Sequence, residues 1–277
     1  MTRTILITGC STGIGSCCAR GMKARGWRVF ATARKDADIA RLKDDGLESL
    51  YLDYTEPQSI AAALEQVLAA TDSRLDALFN NGAYAQPGAV EDLTMAAMRE
   101  QFETNFFGWH DLTRQVIPVM RDQGHGRIVQ NSSVLGLVAM GFRGAYTATK
   151  FALEGYSDTL RIELDDTGIF VSTIEPGPIR SRMGQTAALA ARRHIDMENS
   201  VHRDYYKRRI AALEKGEGNT SGQLGPEAVL KVLIHACESA RPRTHYYVTR
   251  PTHIAAAMRR LLPARMLHAA LARTGRS

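Results

Sequence analysis

The chain has 277 residues, of which 44% are apolar and 23% are charged, as is ordinary for a soluble globular protein with one large core. Its net charge of +6 is unevenly distributed: eight arginines and no acidic residue follow Glu238, and without them residues 1–238 carry −2. The basicity is therefore local to the C-terminal end, which excludes a nucleic-acid-binding surface spread over the whole protein.

Four cysteines, Cys10, Cys17, Cys18 and Cys237, lack the CxxC spacing and the nearby histidines of a zinc site. We predict reduced thiols, with no disulfide framework and no metal. The first residues run directly into a strand without a basic region and a long apolar stretch, and no run of about 18 apolar residues occurs. We therefore expect a cytoplasmic protein.

Seven short apolar runs alternate with segments of helical period. The runs cover 4–8, 28–32, 49–52, 75–79, 127–131, 170–175 and 245–248, and helices are expected near 14–25, 57–70, 94–121, 146–166 and 226–240. This rhythm is typical of repeated βαβ units. It predicts an α/β fold, a Rossmann-type doubly wound parallel sheet of about seven strands with helices on both faces, in which ligands bind beyond the carboxyl ends of the strands.

Residues 181–224 interrupt this alternation of strands and helices, since they contain no strand signal. A segment of that length inside a compact domain is usually a functional lid or disordered. We predict a helical lid over the substrate pocket, within a catalytic domain that spans residues 1–250 and is followed by a helical extension at 251–277.

A glycine-rich turn follows the first strand and opens the first helix. It contains Gly9, Ser11, Thr12, Gly13, Ile14 and Gly15. Glycines allow a tight turn and the close approach of a pyrophosphate, and a helix N-terminus offers it unpaired N–H groups and a partial positive charge. The GxxxGxG spacing is neither the usual GxGxxG nor a P-loop, and a strand-to-helix turn that binds nothing is the alternative.

The end of the second strand bears on the choice of dinucleotide. NAD-specific folds place an acidic residue there for the ribose 2′-hydroxyl, whereas this chain has Arg34 and Lys35. A guanidinium suits bidentate binding of a 2′-phosphate, so NADP(H) is favoured. The alternative is that both are solvated surface charges, and Asp36 lies near enough to leave it open.

Two residues with acid–base chemistry lie four apart on a predicted helix, Tyr146 and Lys150. This spacing puts both on one helix face, where an ammonium lowers the pKa of a neighbouring phenol. Such pairs also arise by chance on exposed helices, but Ser133 stands thirteen residues before the tyrosine, just after the fifth strand. Its hydroxyl can donate to a substrate oxygen on which negative charge develops.

The turn TGxxxGxG, the serine and the YxxxK pair, in this order, resemble the short-chain dehydrogenase/reductase family. Further positions that match family motifs are Asp53, Asn80, Gly82, Asn105, Pro176, Gly177, Ile179 and Ser181. Two departures occur: the turn reads Asn-Asn-Gly-Ala where the family has Ala before Gly, and Ser181 replaces a threonine.

This resemblance implies a set of roles for the matching residues. Hydride passes directly to or from the nicotinamide, Tyr146 exchanges the proton, Ser133 polarises the oxygen and Lys150 orients the ribose. Asn105 holds a water of the proton relay, Asp53 contacts the adenine, and residues 176–181 hold the nicotinamide carboxamide.

The predicted substrate contacts are Ser133 and Tyr146 with the apolar side chains Leu135, Met140, Phe142 and Met183, and Val138 and Leu189 are further wall candidates. They favour a hydrophobic aldehyde, retinoid or steroid over a sugar, although such residues are as often core filler. Phrases at 29–34 and 81–92 resemble the branch that contains retinol and 17β-hydroxysteroid dehydrogenases and bacterial aldehyde reductases. A steroid- or retinoid-specific enzyme is therefore an alternative to a broad carbonyl reductase.

Two other classes of protein fit the sequence less well. A non-catalytic NADPH-sensing regulator would not need Ser133, Tyr146 and Lys150 intact, and a nucleic-acid-binding protein would need aromatic residues among the basic ones. The tail carries two short stretches of helical period that are apolar on one side and basic on the other, separated at Pro263. These stretches either bind an anionic membrane surface or pack over the pocket or against a second subunit, and we favour packing. The expected assembly is a homodimer or homotetramer.

Overall fold

The computed structural model describes residues 2–215 and 222–274. Seven parallel strands form one sheet in the order β3-β2-β1-β4-β5-β6-β7. Their bounds are β1 Thr4–Ile7, β2 Arg28–Ala33, β3 Glu48–Tyr51, β4 Ala77–Asn80, β5 Gly126–Asn131, β6 Ile169–Glu175 and β7 His245–Tyr247. The predicted doubly wound parallel sheet is confirmed.

The described residues form eleven α-helices. They are α1 Gly13–Ala24, α2 Asp36–Asp44, α3 Pro57–Ala70, α4 Met95–Phe102, α5 Gly108–Asp122, α6 Gly144–Glu163, α7 Met183–His194, α8 Arg203–Glu214, α9 Glu227–Glu238, α10 Arg250–Leu261 and α11 Ala264–Thr274. Helix α2 was not predicted, because Leu42 is its one buried residue and leaves almost no apolar stripe. The single helix predicted over 94–121 is divided by a π-helical turn at Glu103–Phe107.

Each face of the sheet carries a layer of helices. Side chains alternate along β1, so Ile5 and Ile7 join the cluster under α1 and α9, while Leu6 joins the cluster under α3, α5 and α6. Burial on both faces explains why the strands are continuous apolar runs in the sequence. The four cysteines are free thiols, as expected.

The strand order reverses between β1 and β4, which is the point where ligands bind in doubly wound sheets. The turns after these two strands are joined by Thr8, whose hydroxyl accepts the backbone N–H groups of Asn81 at 2.8 Å and Gly82 at 3.1 Å. This bonding places the glycine-rich turn beside the Asn-Asn-Gly turn at the carboxyl edge of the sheet.

The predicted lid contains α7 and α8, while its residues 216–221 lie outside the described part of the chain. The two predicted C-terminal helices are confirmed as α10 and α11, although residues 275–277 also lie outside. Arg259 in α10 donates to the carbonyls of Gly136 and Leu137, each at 3.1 Å. The extension therefore packs on the loop after β5, and the division of the chain at residue 250 stays a prediction.

Candidate active site

The glycine-rich turn after β1 is too tight for side chains. Gly9 and Gly13 have φ angles of +68° and +58°, and a Cβ at Gly9 would lie 2.5 Å from the Cα of Gly82. A Cβ at Gly15 would lie 2.3 Å from the carbonyl oxygen of Gly9. Helix α1 begins here at Gly13 with no acidic residue in its first turn, so its N-terminus suits the phosphates of a dinucleotide.

Two guanidinium groups lie beside this turn. The exposed Arg34 reaches Asp53 only at 3.4 Å, a contact that stabilises little. Arg41 in α2 donates to the carbonyl of Ser11 at 2.6 Å, and sequence reasoning missed it because it missed α2. Arg41 also pairs with Asp38 at 2.7 Å, and the planar guanidinium of Arg34 fits a phosphate on the ribose.

Helix α6 brings Tyr146 and Lys150 together, with the Lys150 ammonium 5.6 Å from the centre of the tyrosine ring. Ser133 precedes the short turn Val134–Gly136, and its hydroxyl accepts the Leu135 N–H at 3.1 Å. The same hydroxyl is hydrogen-bonded to Tyr146. Three of the four residues predicted as catalytic, Ser133, Tyr146 and Lys150, thus form one buried group.

Burial raises the pKa of Tyr146 to about 12, although the hydrogen bond with Ser133 and the positive charge of Arg143 lower it. The sequence predicted a lowered pKa, with Lys150 as the cause. The difference arises because alanines of α7 pack on the ring and leave it only 7% exposed. Arg143 is a residue that sequence reasoning missed, although it stands only three positions before the tyrosine.

Lys150 is fully buried. Its ammonium donates to the carbonyl of Asn131 at 2.7 Å and lies 4.4 Å from the ring centre of Trp109. Burial lowers the pKa of Lys150 to about 7, and the carboxylate of Glu154, one helical turn further along α6, raises it. Trp109 also donates to the carbonyl of Gly82 at 2.8 Å, which ties the lysine to the turn after β4.

Glu154 belongs to a cluster with Glu175 and His245 behind α6. His245 contacts Glu175 at 2.7 Å, and burial raises the pKa of Glu154 to about 7. The cluster therefore shares protons among neighbouring groups and joins α6 to β6 and β7. The predicted absence of a metal stays a prediction.

Two matched asparagines have side chains that are bonded inside the protein. Asn105 lies in the π-helical turn, where it donates to the carbonyl of Tyr84 at 2.8 Å and accepts its N–H at 3.2 Å. Asn80 accepts from Tyr54 at 2.7 Å and donates to Thr113 at 3.0 Å. Both side chains fix the loop walls, and the predicted relay water of Asn105 stays a prediction.

The segment Pro176 to Ser181 lies over the glycine-rich turn. The carbonyl of Pro176 accepts the N–H of Val134 at 2.8 Å, which ties this segment to the catalytic serine loop. A Cβ at Gly13 would lie 3.2 Å from that of Ser181, and one at Gly177 would lie 2.1 Å from the hydroxyl of Thr249. Ile179 packs into the core under α1 and α9, so the segment is held at the edge where a nicotinamide would bind.

The predicted substrate residues occupy different environments. Leu135 packs with Tyr146 beneath α7 and α8, and Phe142 stacks on Tyr205 of α8. Met140 and Met183 are 41% and 37% exposed, so they contribute less to an enclosed wall. A cavity of about 550 Å³ lies between α4 and α7, and its lining includes Arg34, Tyr84, Thr104, Thr186 and Leu189.

A family model described as short chain dehydrogenase matches residues 3–191. The chain belongs to the short-chain dehydrogenase/reductase family. It is 40% identical to the uncharacterized oxidoreductase YbbO of Escherichia coli (strain K12) over 267 residues, 96% of this chain and 93% of that protein. It is 33% identical to retinol dehydrogenase 8 of Homo sapiens over 252 residues, 87% of this chain and 79% of that protein.

Solved structures of family members agree with the fold. A short-chain dehydrogenase from Streptomyces avermitilis has a TM-score of 0.78 and 27% identity, over 99% of this chain and 96% of that one. An actinorhodin polyketide ketoreductase with NADPH has a TM-score of 0.72 and 26% identity, over 89% and 95%. This short-chain dehydrogenase/reductase is thus an oxidoreductase for CH–OH or C=O groups with a nicotinamide dinucleotide cofactor. Within the described residues, no helix is long and apolar enough to cross a membrane.

Proposed function

We propose that this protein is an NADP(H)-dependent oxidoreductase that interconverts a hydrophobic aldehyde or ketone and its alcohol. The observation that carries the proposal is the buried group of Ser133, Tyr146 and Lys150 at the carboxyl edge of the sheet that also carries the glycine-rich turn. Acid–base chemistry on a carbonyl needs these three functions at one place: a proton donor, a second hydrogen-bond donor and a cation.

Residues Gly9 to Gly15 and the segment after Pro176 would hold the cofactor, which would supply hydride from its nicotinamide. Tyr146 donates its proton to the substrate oxygen in the reduction and accepts it in the reverse direction. Ser133 donates a hydrogen bond to the same oxygen while its charge grows. In its protonated form Lys150, held by Asn131 and Trp109, places a positive charge near the phenol, which favours phenolate after the proton has left.

Arg34 is the basis for preferring NADP(H). Arg34→Ala should raise KM for NADPH about 10- to 100-fold and leave KM for NADH nearly unchanged, because only the former loses a charged phosphate contact. Lys35→Ala is the neighbouring control and should change both little. Steady-state kinetics with the two cofactors measure this, and equal changes for Arg34→Ala would mean that this arginine is only surface charge.

The proposed activity is tested by NADPH consumption against a panel of long-chain aldehydes, ketones, sterols and retinoids. We expect turnover of apolar carbonyls and none of sugars, since Leu135 and the lid alanines beside Tyr146 are apolar. A preference for retinoids or steroids would favour the narrower enzyme to which the retinol dehydrogenase relative points. Cofactor binding without turnover of any carbonyl would instead fit a non-catalytic regulator.

We infer that the C-terminal helices act by packing rather than by binding a membrane. A chain ending at Arg250 loses the contact of Arg259 with the loop after Ser133, so its KM or kcat should worsen at least several-fold. Co-sedimentation with acidic liposomes at physiological salt should be weak for both chains. Strong binding by the full chain alone would support membrane attachment, which Ile254, Leu261 and Met266 would provide as exposed apolar residues. Light scattering on both chains tests the expected homodimer or homotetramer.

A further inference from the structure

Arg143 is a cation at the mouth of the active site. It immediately precedes α6 and stands three residues before Tyr146, so it lies about one helical turn from the proton donor. Its side chain is half-buried, and its guanidinium has no hydrogen bond or ion pair with any described residue. Burial lowers the pKa of Arg143, as does the charge of Arg209.

The lid helix α8 brings this second arginine close. Phe142, the residue before Arg143, stacks on Tyr205 with ring centres 3.7 Å apart and planes at 20°. Arg209 lies four residues after Tyr205, on the same face of α8. It is also half-buried and unpaired among residues 2–215 and 222–274, so two guanidinium groups share one region.

Nearby acids do not neutralise this pair. Glu91 contacts His202 at 2.7 Å, and Asp92 accepts from both Ser200 and Tyr206 at 2.7 Å. The groups that raise the pKa of Arg143 are the phenols of Tyr205 and Tyr146, with no carboxylate among them. Half-buried like charges without a counter-charge are costly, which points to an anion that arrives with a ligand.

Other arginines of the lid behave differently. Arg192 pairs with Glu214 at 2.7 Å, and Arg193 pairs with Glu100 at 2.8 Å. These two exposed arginines therefore have acidic partners on α8 and α4, whereas the half-buried Arg143 and Arg209 have none among the described residues. The contrast separates Arg143 and Arg209 from ordinary solvated charges.

We propose that Arg143 and Arg209 form an anion subsite for a carboxylate of the substrate, so that the enzyme acts on carbonyl compounds with both an apolar chain and an acidic group. The inference rests on the proposed function and narrows its substrate class. A planar guanidinium matches a carboxylate through two parallel hydrogen bonds, and the side chains packed around Tyr146, among them Leu135, Ala187 and Ala191, are apolar.

Binding of the carboxylate has a consequence for the chemistry. The charge of Arg143 lowers the pKa of Tyr146, and a bound carboxylate neutralises that charge. Tyr146 then holds its proton more firmly until the substrate oxygen accepts it. An acidic substrate therefore raises the already high pKa of the phenol further and keeps it in the protonated form that a reduction requires.

The test compares an oxo fatty acid with its methyl ester, using the full chain and NADPH. The ester lacks the negative charge and carries one added methyl group, and a series of chain lengths locates the best separation between the carbonyl and the carboxylate. We expect kcat/KM to favour the acid by about 10- to 100-fold. Arg143→Gln and Arg209→Gln should each remove most of this preference, mainly through KM. The ester should be nearly unchanged in Arg209→Gln, whereas Arg143→Gln should also change its kcat, because the charge of Arg143 lowers the pKa of Tyr146. Arg208→Gln, an exposed neighbour on α8, is the control and should keep the preference.

Equal kcat/KM for acid and ester in the wild-type enzyme would overturn the subsite, as would equal losses on both substrates in Arg209→Gln. A second measurement does not depend on turnover: calorimetry of a saturated fatty acid binding to the enzyme with NADPH. Binding should weaken at least tenfold in Arg143→Gln and stay unchanged in Arg208→Gln. If carbonyls are not reduced but this binding difference is present, the proposed function fails and the subsite stands. If the fatty acid binds both variants equally, the subsite fails whatever the activity.

Discussion

Tyr146→Phe should lower kcat by about 10²–10⁴-fold while the dissociation constant for NADPH changes little. The substitution removes the phenol that donates the proton and keeps the ring that packs under α7, Ile210 and Leu213. Fluorescence titration with NADPH and steady-state assays on one preparation measure both quantities.

Tyr156→Phe is the matched control for this variant. Tyr156 lies on the same helix, and its hydroxyl contacts His110 at 3.2 Å rather than the catalytic residues. Its turnover should stay close to that of the wild type. Retention of turnover in Tyr146→Phe would mean that another group protonates the substrate oxygen, and the assignment of the tyrosine would be wrong.

Lys150→Met should have opposite effects on activity and stability. Turnover should fall by about 10²-fold or more, because the phenolate loses its cation, while the cofactor-free chain should unfold at a higher temperature. A buried ammonium held by one carbonyl and one ring face costs more than an apolar side chain of similar size.

The pH dependence of this gain follows from the direction of the pKa shift. Burial lowers the pKa of Lys150 from 10.5 to about 7, so the folded chain pays the full penalty of a buried charge below pH 7. Between pH 7 and 10.5 the folded lysine is neutral while the unfolded one is charged, and the wild-type stability rises. The gain in Lys150→Met should therefore be largest below pH 7 and shrink above it.

Thermal unfolding at several pH values measures this dependence, with Lys231→Met as the control because that lysine is exposed on α9. The control should show no such gain. A lower unfolding temperature for Lys150→Met at every pH would contradict the argument, since it would mean that the ammonium contacts outweigh its desolvation.

Local spacing explains which parts of the site could be predicted from the sequence. The glycine turn and the Tyr146–Lys150 pair depend on residues within a few positions of one another, and a helix or a strand-to-helix turn fixes their geometry. The sheet was predictable for a similar reason, because strands buried on both faces, such as β1 and β4, are apolar without interruption.

Contacts between distant segments explain what could not be predicted. Trp109 lies under Lys150 only because α5 packs beside α6, and the approach of Arg209 to Arg143 depends on the docking of α8. Helix α2 and its Arg41 were missed because a helix with one buried residue has almost no hydrophobic period. The raised pKa of Tyr146 follows from its burial beneath α7, a contact between distant segments that no local pattern encodes.

In this all-parallel sheet, the predicted site residues and some of the connecting turns lie at opposite edges. The carboxyl ends of the strands lead into the glycine-rich turn, Ser133 and the Pro176 segment. The turns at Gly26 and Gly124 instead precede the amino ends of β2 and β5. A side chain added at either of these glycines would meet no atom within 4 Å, although their positive φ angles favour glycine itself. Peptides or linkers joined at these turns would tether the enzyme to a solid support with the carboxyl edge of the sheet, and the candidate active site, facing the solution.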